Sequence, residues 1–273
     1  MKKIFFSFLS LSLIITGCSE TSLPGEVKNS NIVFERINFD NPSEKELKFI
    51  LKNDDGSYIF DEDLEITHEK KIHFIVTKDD LAHFQHVHPE PDDQFWKVKV
   101  NFPEAGIYNV YTDFEPKDQP VRTLFITITI GDAKPDKNYP SISTDNISMQ
   151  DGITASLELD HQEADRNNTL QFLLQKDGET LTTLKPYLGA GGHVVILKHN
   201  EPELYLHVHP VGNTKNDGKL KFMTKFPTPG TYTAFLQVNN SDTIQTFPFT
   251  FIVQPGTEDH SSMTTEEMES HSQ

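Results

Sequence analysis

Two histidine pairs with the same local sequence are the residues of this chain best suited to chemistry. The tetrapeptide His-Val-His-Pro occurs at residues 86–89 and again at residues 207–210. Alternate side chains of a β-strand point to the same face, so the two imidazoles of each pair project together. The proline cannot continue a central ladder, which places each pair at a strand end or a sheet edge. The pattern predicts a site for a divalent metal, which imidazole nitrogen binds at about 2 Å.

A third histidine precedes each pair. His73 lies thirteen residues before His86, and His193 lies fourteen residues before His207. Each is predicted on the neighbouring strand of a hairpin, about 4.8 Å away. We therefore predict a three-histidine cluster in each half of the chain, a ligand pattern shared by catalytic zinc and copper(II) sites. The predicted metal ligands are His73, His86, His88, His193, His207 and His209.

Other residues near the pairs are not duplicated. His83 aligns with Leu204, so we treat it only as an auxiliary ligand, and Glu90 aligns with Val211. The histidines that lack a matched partner are predicted to lie on the surface: His68, His161 and His199.

The same histidines allow a structural alternative, in which they stabilise the fold through hydrogen bonds to backbone carbonyls. Duplication of the domain would place this arrangement in both copies. Imidazole suits copper, zinc and nickel, and affinity generally peaks at copper(II). Copper is therefore the first expected ion and zinc the second.

An internal duplication determines the predicted architecture. Four sequence blocks recur in the same order, with offsets between 120 and 124 residues. The matched blocks are 46–52 with 169–175, 72–76 with 192–196, 86–89 with 207–210, and 102–108 with 226–232. Each copy is long enough to form a domain of its own.

Each copy is predicted to be antiparallel β-structure. Short apolar runs, the first at residues 32–39, alternate with turn residues about every ten positions, and no long segment has helical periodicity. Seven or so short strands per copy favour an immunoglobulin-like β-sandwich, so the fold class is all-β with two tandem sandwiches. Tyr108 and Tyr232, each in a Gly-x-Tyr block, are predicted to form tyrosine corners.

The N-terminus resembles a lipoprotein signal. Two lysines and a short apolar run lead to Ile-Thr-Gly-Cys at residues 15–18, which is typical of a bacterial lipobox. Residues 1–17 are the predicted signal peptide, and Cys18, the single cysteine, is the predicted lipidation site. An ordinary signal peptide with a chance cysteine is the alternative.

The remaining boundaries follow from composition. We predict a tether at 18–30, domains at 31–131 and 149–254, and a linker at 132–148 that contains two prolines. Residues 255–273 form a polar acidic tail, predicted to be disordered. Its histidines and methionines allow loose copper capture, although a solvated tail is the favoured interpretation.

Charge restricts the partners. The chain has 24 basic and 41 acidic residues, and loss of two lysines with the signal peptide changes the net charge from −17 to 22 − 41 = −19. This argues against nucleic acid and anionic head groups as partners. The expected partners are the membrane, through the lipid at Cys18, and another metal-handling protein of the envelope.

Two resemblances support this interpretation. Residues 80–89, 184–193 and 205–210 resemble a signature of secreted bacterial proteins with duplicated His-x-His-Pro domains, which implies the compartment but no activity. More distantly, residues 226–232 are similar to the Pro-Gly-x-Tyr strand of YtkA-like and copper resistance protein C-like sandwiches, which implies copper handling outside the cytoplasm. No Asp-Gly-His follows this strand, so the ligand set of the latter family does not carry over.

Three functions remain open at this stage. The first is a copper- or zinc-binding lipoprotein for buffering or delivery, with up to two ions per chain. The second is a structural or partner-binding envelope module. The third, ranked last, is a metalloenzyme of cupin or superoxide dismutase type, because neither ligand set is complete and no nucleophile–base pair stands out. We therefore predict that the protein is not an enzyme.

Overall fold

The computed structural model describes residues 31–35, 37–208, 210–211 and 218–256. The predicted signal peptide, the tether, Cys18, His209 and nearly all of the acidic tail lie outside these residues. One 3₁₀ turn, Asp61–Asp63, is the helical element of the described part of the chain. In that part, no helix has the length and apolarity needed to span a membrane.

The first half of the chain forms a sandwich of two antiparallel sheets. Its strands are β1 (Ile32–Phe34), β2 (Ser43–Lys52), β3 (Tyr58–Ile59), β4 (Ile72–Lys78), β5 (Phe84–Val87), β6 (Glu90–Asp92), β7 (Phe95–Phe102), β8 (Gly106–Phe114) and β9 (Arg122–Ile130). One sheet has the order β1-β2-β7-β6, with β3 beside β2, and the other has the order β5-β4-β8-β9. The first strand ends at Phe34 and is shorter than the predicted run to residue 39.

The second half repeats this arrangement. Its strands are β10 (Ile147–Gln150), β11 (Ile153–Leu159), β12 (Asn167–Lys176), β13 (Glu179–Thr180), β14 (Leu184–Lys185), β15 (His193–Lys198), β16 (Glu201–Val208), β17 (Lys219–Lys225), β18 (Gly230–Asn240) and β19 (Thr243–Val253). One sheet has the order β10-β11-β12-β13 with β17 beside β12, and the other the order β14-β18-β15-β16 with β19 beside β18. The predicted fold class, two tandem immunoglobulin-like sandwiches from a duplication, is confirmed.

Matching tyrosines fasten one end of each sandwich. The Tyr108 hydroxyl donates to the carbonyl of Glu104 at 3.0 Å, and the Tyr232 hydroxyl donates to the carbonyl of Thr228 at 2.6 Å. Both phenols are bonded four residues upstream, as in a tyrosine corner. Their predicted structural role is confirmed.

The two sandwiches pack against each other through the sheets that contain β4 and β15. Every residue of both strands is buried, because each strand has a core on both of its faces. In β4, Phe74 and Val76 belong to the core of the first sandwich, whereas Ile75 belongs to a separate cluster that also holds Val195. The molecule therefore has four β-layers, and alternation along β4 and β15 decides which side chains enter the domain interface.

Aromatic pairs show that the interface has approximate two-fold symmetry. Phe84 stacks on Phe235 with ring centroids 4.4 Å apart, and Tyr205 stacks on Tyr111 at 4.6 Å. Phe84 and Tyr205 are equivalent positions of the duplication, as are Tyr111 and Phe235. Exchanging the two domains therefore maps one stack onto the other, and an approximate two-fold axis passes between them.

The segment between the domains packs on the second domain. Tyr139 stacks on His199 with ring centroids 4.3 Å apart, and its hydroxyl accepts a hydrogen bond from the Asn200 amide at 3.0 Å. His199 is half-buried there, so its prediction as a surface residue is corrected. Strand β10 begins at Ile147, two residues before the predicted start of domain two.

Candidate metal centre

The predicted ligands come from both domains and meet in one place. His73 in β4 and His193 in β15 have the same strand parity as Ile75 and Val195, so both side chains face the domain interface. His86 in β5 and His207 in β16 lie beside them on the adjoining strands. The sequence predicts a cluster in each domain and leaves open whether the two act separately or face each other; among the described residues they meet as one cluster. Two-sided burial of β4 and β15 puts the two histidine sets against each other.

Ring positions within the cluster agree with binding to one ion. His73 has its centroid 5.2 Å from His86, 5.1 Å from His88 and 5.2 Å from His207. His193 lies 5.8 Å from His207 and 6.4 Å from His73. Imidazole centroids sit about 3.2 Å from an ion bound at about 2 Å, so rings that share one ion have centroids about 4.5 to 6.4 Å apart. All of these separations fall in that range.

Three of the rings direct nitrogens to a common point. One nitrogen each from His73, His86 and His207 lies within 4.8 Å of the other two. Nitrogens bound to one ion at about 2 Å are at most about 4 Å apart. Small ring rotations therefore suffice to close the site around an ion.

Hydrogen bonds on the outer side of two rings orient them: the bond to Thr67 assigns the tautomer of His73, and that of His86 follows the orientation of the Gln237 amide. His73 Nε2 donates to the carbonyl of Thr67 at 3.0 Å, and His86 Nδ1 donates to the Gln237 side-chain oxygen at 2.8 Å. The Gln237 amide nitrogen donates to Thr246 at 3.3 Å, which agrees with that orientation. In the neutral rings, the lone pairs then lie on His73 Nδ1 and His86 Nε2, which approach to 3.0 Å. With Gln237 in this orientation a cation between the two nitrogens removes the lone-pair repulsion, whereas with the amide reversed His86 Nε2 donates to His73 Nδ1 as an ordinary hydrogen bond.

Burial makes a proton an unfavourable choice for that cation. Desolvation lowers the pKa of the His73 imidazole to about 4 and that of His88 to about 3. Desolvation also holds the pKa of His86 well below its ordinary value. The rings are therefore neutral at pH 7, which is the form that binds a metal ion.

A carboxylate orients His207 from the other domain. Asp113 Oδ2 lies 3.0 Å from His207 Nδ1 and accepts a hydrogen bond from the Tyr205 hydroxyl at 2.5 Å. Asp113 is adjacent to His73 in the register of β4 and β8. With Nδ1 donating to the carboxylate, the His207 lone pair is on Nε2. This is the carboxylate–histidine arrangement that orients metal ligands in many sites.

Gln237 performs the equivalent task in the second domain. It neighbours His193 in the register of β15 and β18, as Asp113 neighbours His73, and it bonds His86 of the first domain. Each domain thus orients a histidine of the other. Neither residue was predicted from the sequence, although a polar residue inside an otherwise apolar strand was the available signal.

Buried nitrogen and oxygen atoms in the cluster remain available. His88 Nε2 is shielded from solvent and has no hydrogen-bond partner among the described residues, and the same is true of Asp113 Oδ1. Buried polar groups normally have partners, and a bound metal ion would supply one here. His88 follows the end of β5, as its proline predicts, with its ring 4.7 Å from His86.

The remaining histidines divide between the cluster and the surface. His68 was predicted on the surface, but its ring lies 6.3 Å from His73 and 5.7 Å from His193. The turn that carries it folds over the domain interface. His83 is instead hydrogen-bonded to Gln85 at 2.7 Å and packs on a tyrosine-corner ring, so it is not placed as an auxiliary ligand. His161 lies beside Asp160 and is exposed, as predicted.

Comparison with known families identifies the repeat. The family described as "Domain of unknown function (DUF8832)" matches residues 27–132 and, a second time, residues 148–255. The chain belongs to this family. Its two matches agree with the duplication, and its description assigns no chemistry. No curated protein matches the chain. The comparisons do not connect it with YtkA-like or copper resistance protein C-like sandwiches, so that resemblance remains a prediction.

Solved structures share the β-architecture at low similarity. A chain of FdeC, an Escherichia coli adhesin, is 14% identical to this protein, with a TM-score of 0.27. The match covers 85% of this protein and 66% of the FdeC chain. The fibronectin(III)-like modules of Clostridium thermocellum CbhA are 8% identical with a TM-score of 0.23, over 84% of this chain and 97% of theirs. These values carry no argument about the site. The chemistry rests on the histidine cluster, which could hold a metal ion between the domains.

Proposed function

We propose that this protein is a lipoprotein facing outside the cytoplasm that binds one divalent transition metal ion between its two domains and buffers or delivers it. The approach of His73 Nδ1 and His86 Nε2 to 3.0 Å is the observation that carries the proposal. With Gln237 oriented to accept from His86, both rings present lone pairs to the same point, which supports a cation there. A nitrogen of His207, from the other domain, completes a group of three.

Copper is the first choice of ion and zinc the second. The described donors are imidazole nitrogens, for which copper(II) has the highest affinity among the common divalent ions. Two nitrogens bound at about 2 Å lie about 2.8 Å apart at a right angle and about 3.3 Å apart in a tetrahedron. The observed 3.0 Å lies between these values and suits either ion.

The N-terminal sequence and the charge support the proposed location. We propose that Cys18 carries the lipid anchor at the cell membrane and that the partner is another metal-handling protein of the envelope. The acidic mature chain would attract cations and repel anionic surfaces.

A binding role is proposed, not an enzymatic one. The carboxylate closest to the cluster, Asp113, is engaged by Tyr205 and by His207 and therefore orients a ligand. Such a residue adjusts affinity without taking part in proton transfer to a substrate.

A structural role for the histidines is the alternative function. The aromatic and aliphatic residues of the interface, including Tyr111 and Phe235, already hold the domains together, and His73 and His86 are braced by Thr67 and Gln237. In that case the protein would be an envelope module that binds a partner without metal.

Metal loading separates the two functions. The mature protein, loaded with copper or zinc and then desalted, is expected to retain one ion per chain by elemental analysis. The double variant His86→Ala/His207→Ala is expected to retain none while keeping its β-sheet circular dichroism. Equal metal content in the two proteins would support the structural alternative and overturn the metal proposal.

Asp113 gives a second expected result. Asp113→Asn removes the charge that orients His207, so copper affinity should fall by about 10- to 100-fold in a competition titration, as for other outer-shell partners. The matched control is Asp92→Asn, which changes an exposed carboxylate paired with Lys48. An unchanged affinity in Asp113→Asn would show that His207 needs no orienting carboxylate.

A further inference from the structure

A cleft of about 450 Å³ opens beside the histidine cluster. Two of the proposed ligands, His73 and His207, form part of its wall together with Asp113. The remaining wall is mainly apolar, and exposed Val121 lies on it. The cleft is therefore lined by two of the proposed ligands that the structure describes.

The other side of the cluster is covered. His193 and His86 are not among the residues that line the cleft, whereas His73 lines it although its side chain is only 3% exposed. The ring of Tyr187, on the turn at residues 187–190 of the second domain, lies 5.5 Å from His193 and 6.4 Å from His86. An ion held by His73, His86 and His207 is thus approached more readily from the cleft than from the Tyr187 side.

His68 stands where the cleft meets the cluster. It belongs to the cleft wall, and its ring lies 5.7 Å from His193 and 6.3 Å from His73. Its turn is tied to the cluster, since the carbonyl of the preceding Thr67 accepts the hydrogen bond from His73. The turn that carries His68 is therefore in direct contact with a ligand of the proposed site.

The turn itself does not require a histidine. His68 has a left-handed backbone with φ 51°, and Leu188, at the equivalent position of the second domain, has φ 55°. The equivalent turn thus forms with a leucine, although a residue of either type pays a conformational penalty there. Of these two equivalent turns, the one that lines the cleft carries the imidazole, which points to a role in the site.

We infer that the cleft is the route by which the ion enters and leaves the cluster, and that His68 is the ligand that carries it across the cleft wall. This inference rests on the proposed metal-binding function. A nitrogen lone pair of neutral His68 bonds to the ion as the bond to His207 Nε2 breaks. One ligand replaces another, and the oxidation state of the ion does not change. The ion then passes from His68 to a donor that enters the cleft.

Transfer kinetics test the route with copper(II) alone. The full mature protein is loaded with one copper(II), mixed with EDTA in a stopped-flow instrument, and followed by loss of the copper absorbance. His68→Leu, which installs the residue of the equivalent turn, should slow transfer by about tenfold and change the equilibrium affinity by less than about threefold. Val121→Trp, which narrows the cleft, should slow transfer as well. The matched control Val33→Trp alters another exposed valine, in β1, and should leave the rate unchanged.

The outcomes distinguish this inference from the function on which it rests. If the wild-type protein retains neither copper nor zinc, the proposed function and the inference both fail. If it retains copper and the rate is unchanged in His68→Leu or in Val121→Trp, the inference alone is overturned. A parallel loss of affinity and faster release in His68→Leu would make His68 an equilibrium ligand and would also overturn it.

Discussion

A single substitution in either domain, His73→Ala or His207→Ala, is expected to remove high-affinity metal binding from the whole chain. Both residues contribute to one nitrogen group, so neither domain keeps a complete set after the change. The loss of affinity should exceed the roughly 100-fold that removal of an outer-shell partner causes. Isothermal titration of the mature protein with copper(II) measures both the stoichiometry and the affinity.

The stoichiometry is the decisive quantity in this titration. A site in each domain would leave one ion bound to the unaltered domain, so half of the wild-type capacity would survive each substitution. The control is His161→Ala, which removes an exposed imidazole beside Asp160 and should bind like the wild-type protein. Half capacity in either single variant would contradict a shared site.

Tyr111→Ala is expected to cause the largest loss of stability. The Tyr111 side chain is 1% exposed, stacks on Tyr205 and donates a hydrogen bond to the carbonyl of Pro202 at 2.6 Å. Removal of a buried aromatic ring costs about 3 to 5 kcal/mol of the free energy of unfolding. Both contacts cross the domain interface, so copper affinity should fall as well. Urea denaturation of the metal-free protein and a copper titration measure the two effects.

An exposed tyrosine provides the control for this variant. Tyr58 is 50% exposed, and Tyr58→Ala should change the free energy of unfolding by no more than about 0.5 kcal/mol. A destabilised Tyr111→Ala protein with wild-type copper affinity would show that the interface does not hold the ligands in place.

The sequence predicted the individual domains well because local patterns determine them. The duplication, the sandwich class and the tyrosine corners of Tyr108 and Tyr232 followed from spacing and residue type. The pairing of His73 with the following histidine strand also followed, because a hairpin brings neighbouring strands together.

The shared position of the two histidine sets was not predicted, because it depends on packing between domains. One signal was present in the sequence: β4 and β15 are nearly continuous apolar runs, which indicates burial on both faces. The place of His68 was missed for the same reason, since its ring neighbours His193 of the second domain. Asp113 and Gln237 are polar residues in buried strands, and their roles become visible only when the domains are packed, because each bonds to a histidine of the other domain.

The position of the bound ion tests the central claim most directly. Crystals of the copper-loaded mature protein, measured at the copper absorption edge, should show one anomalous peak per chain, within about 2 Å of nitrogens from both His73 and His207. Two peaks, each surrounded by histidines of one domain, or a peak in contact with one domain alone, would contradict a metal site shared between the domains.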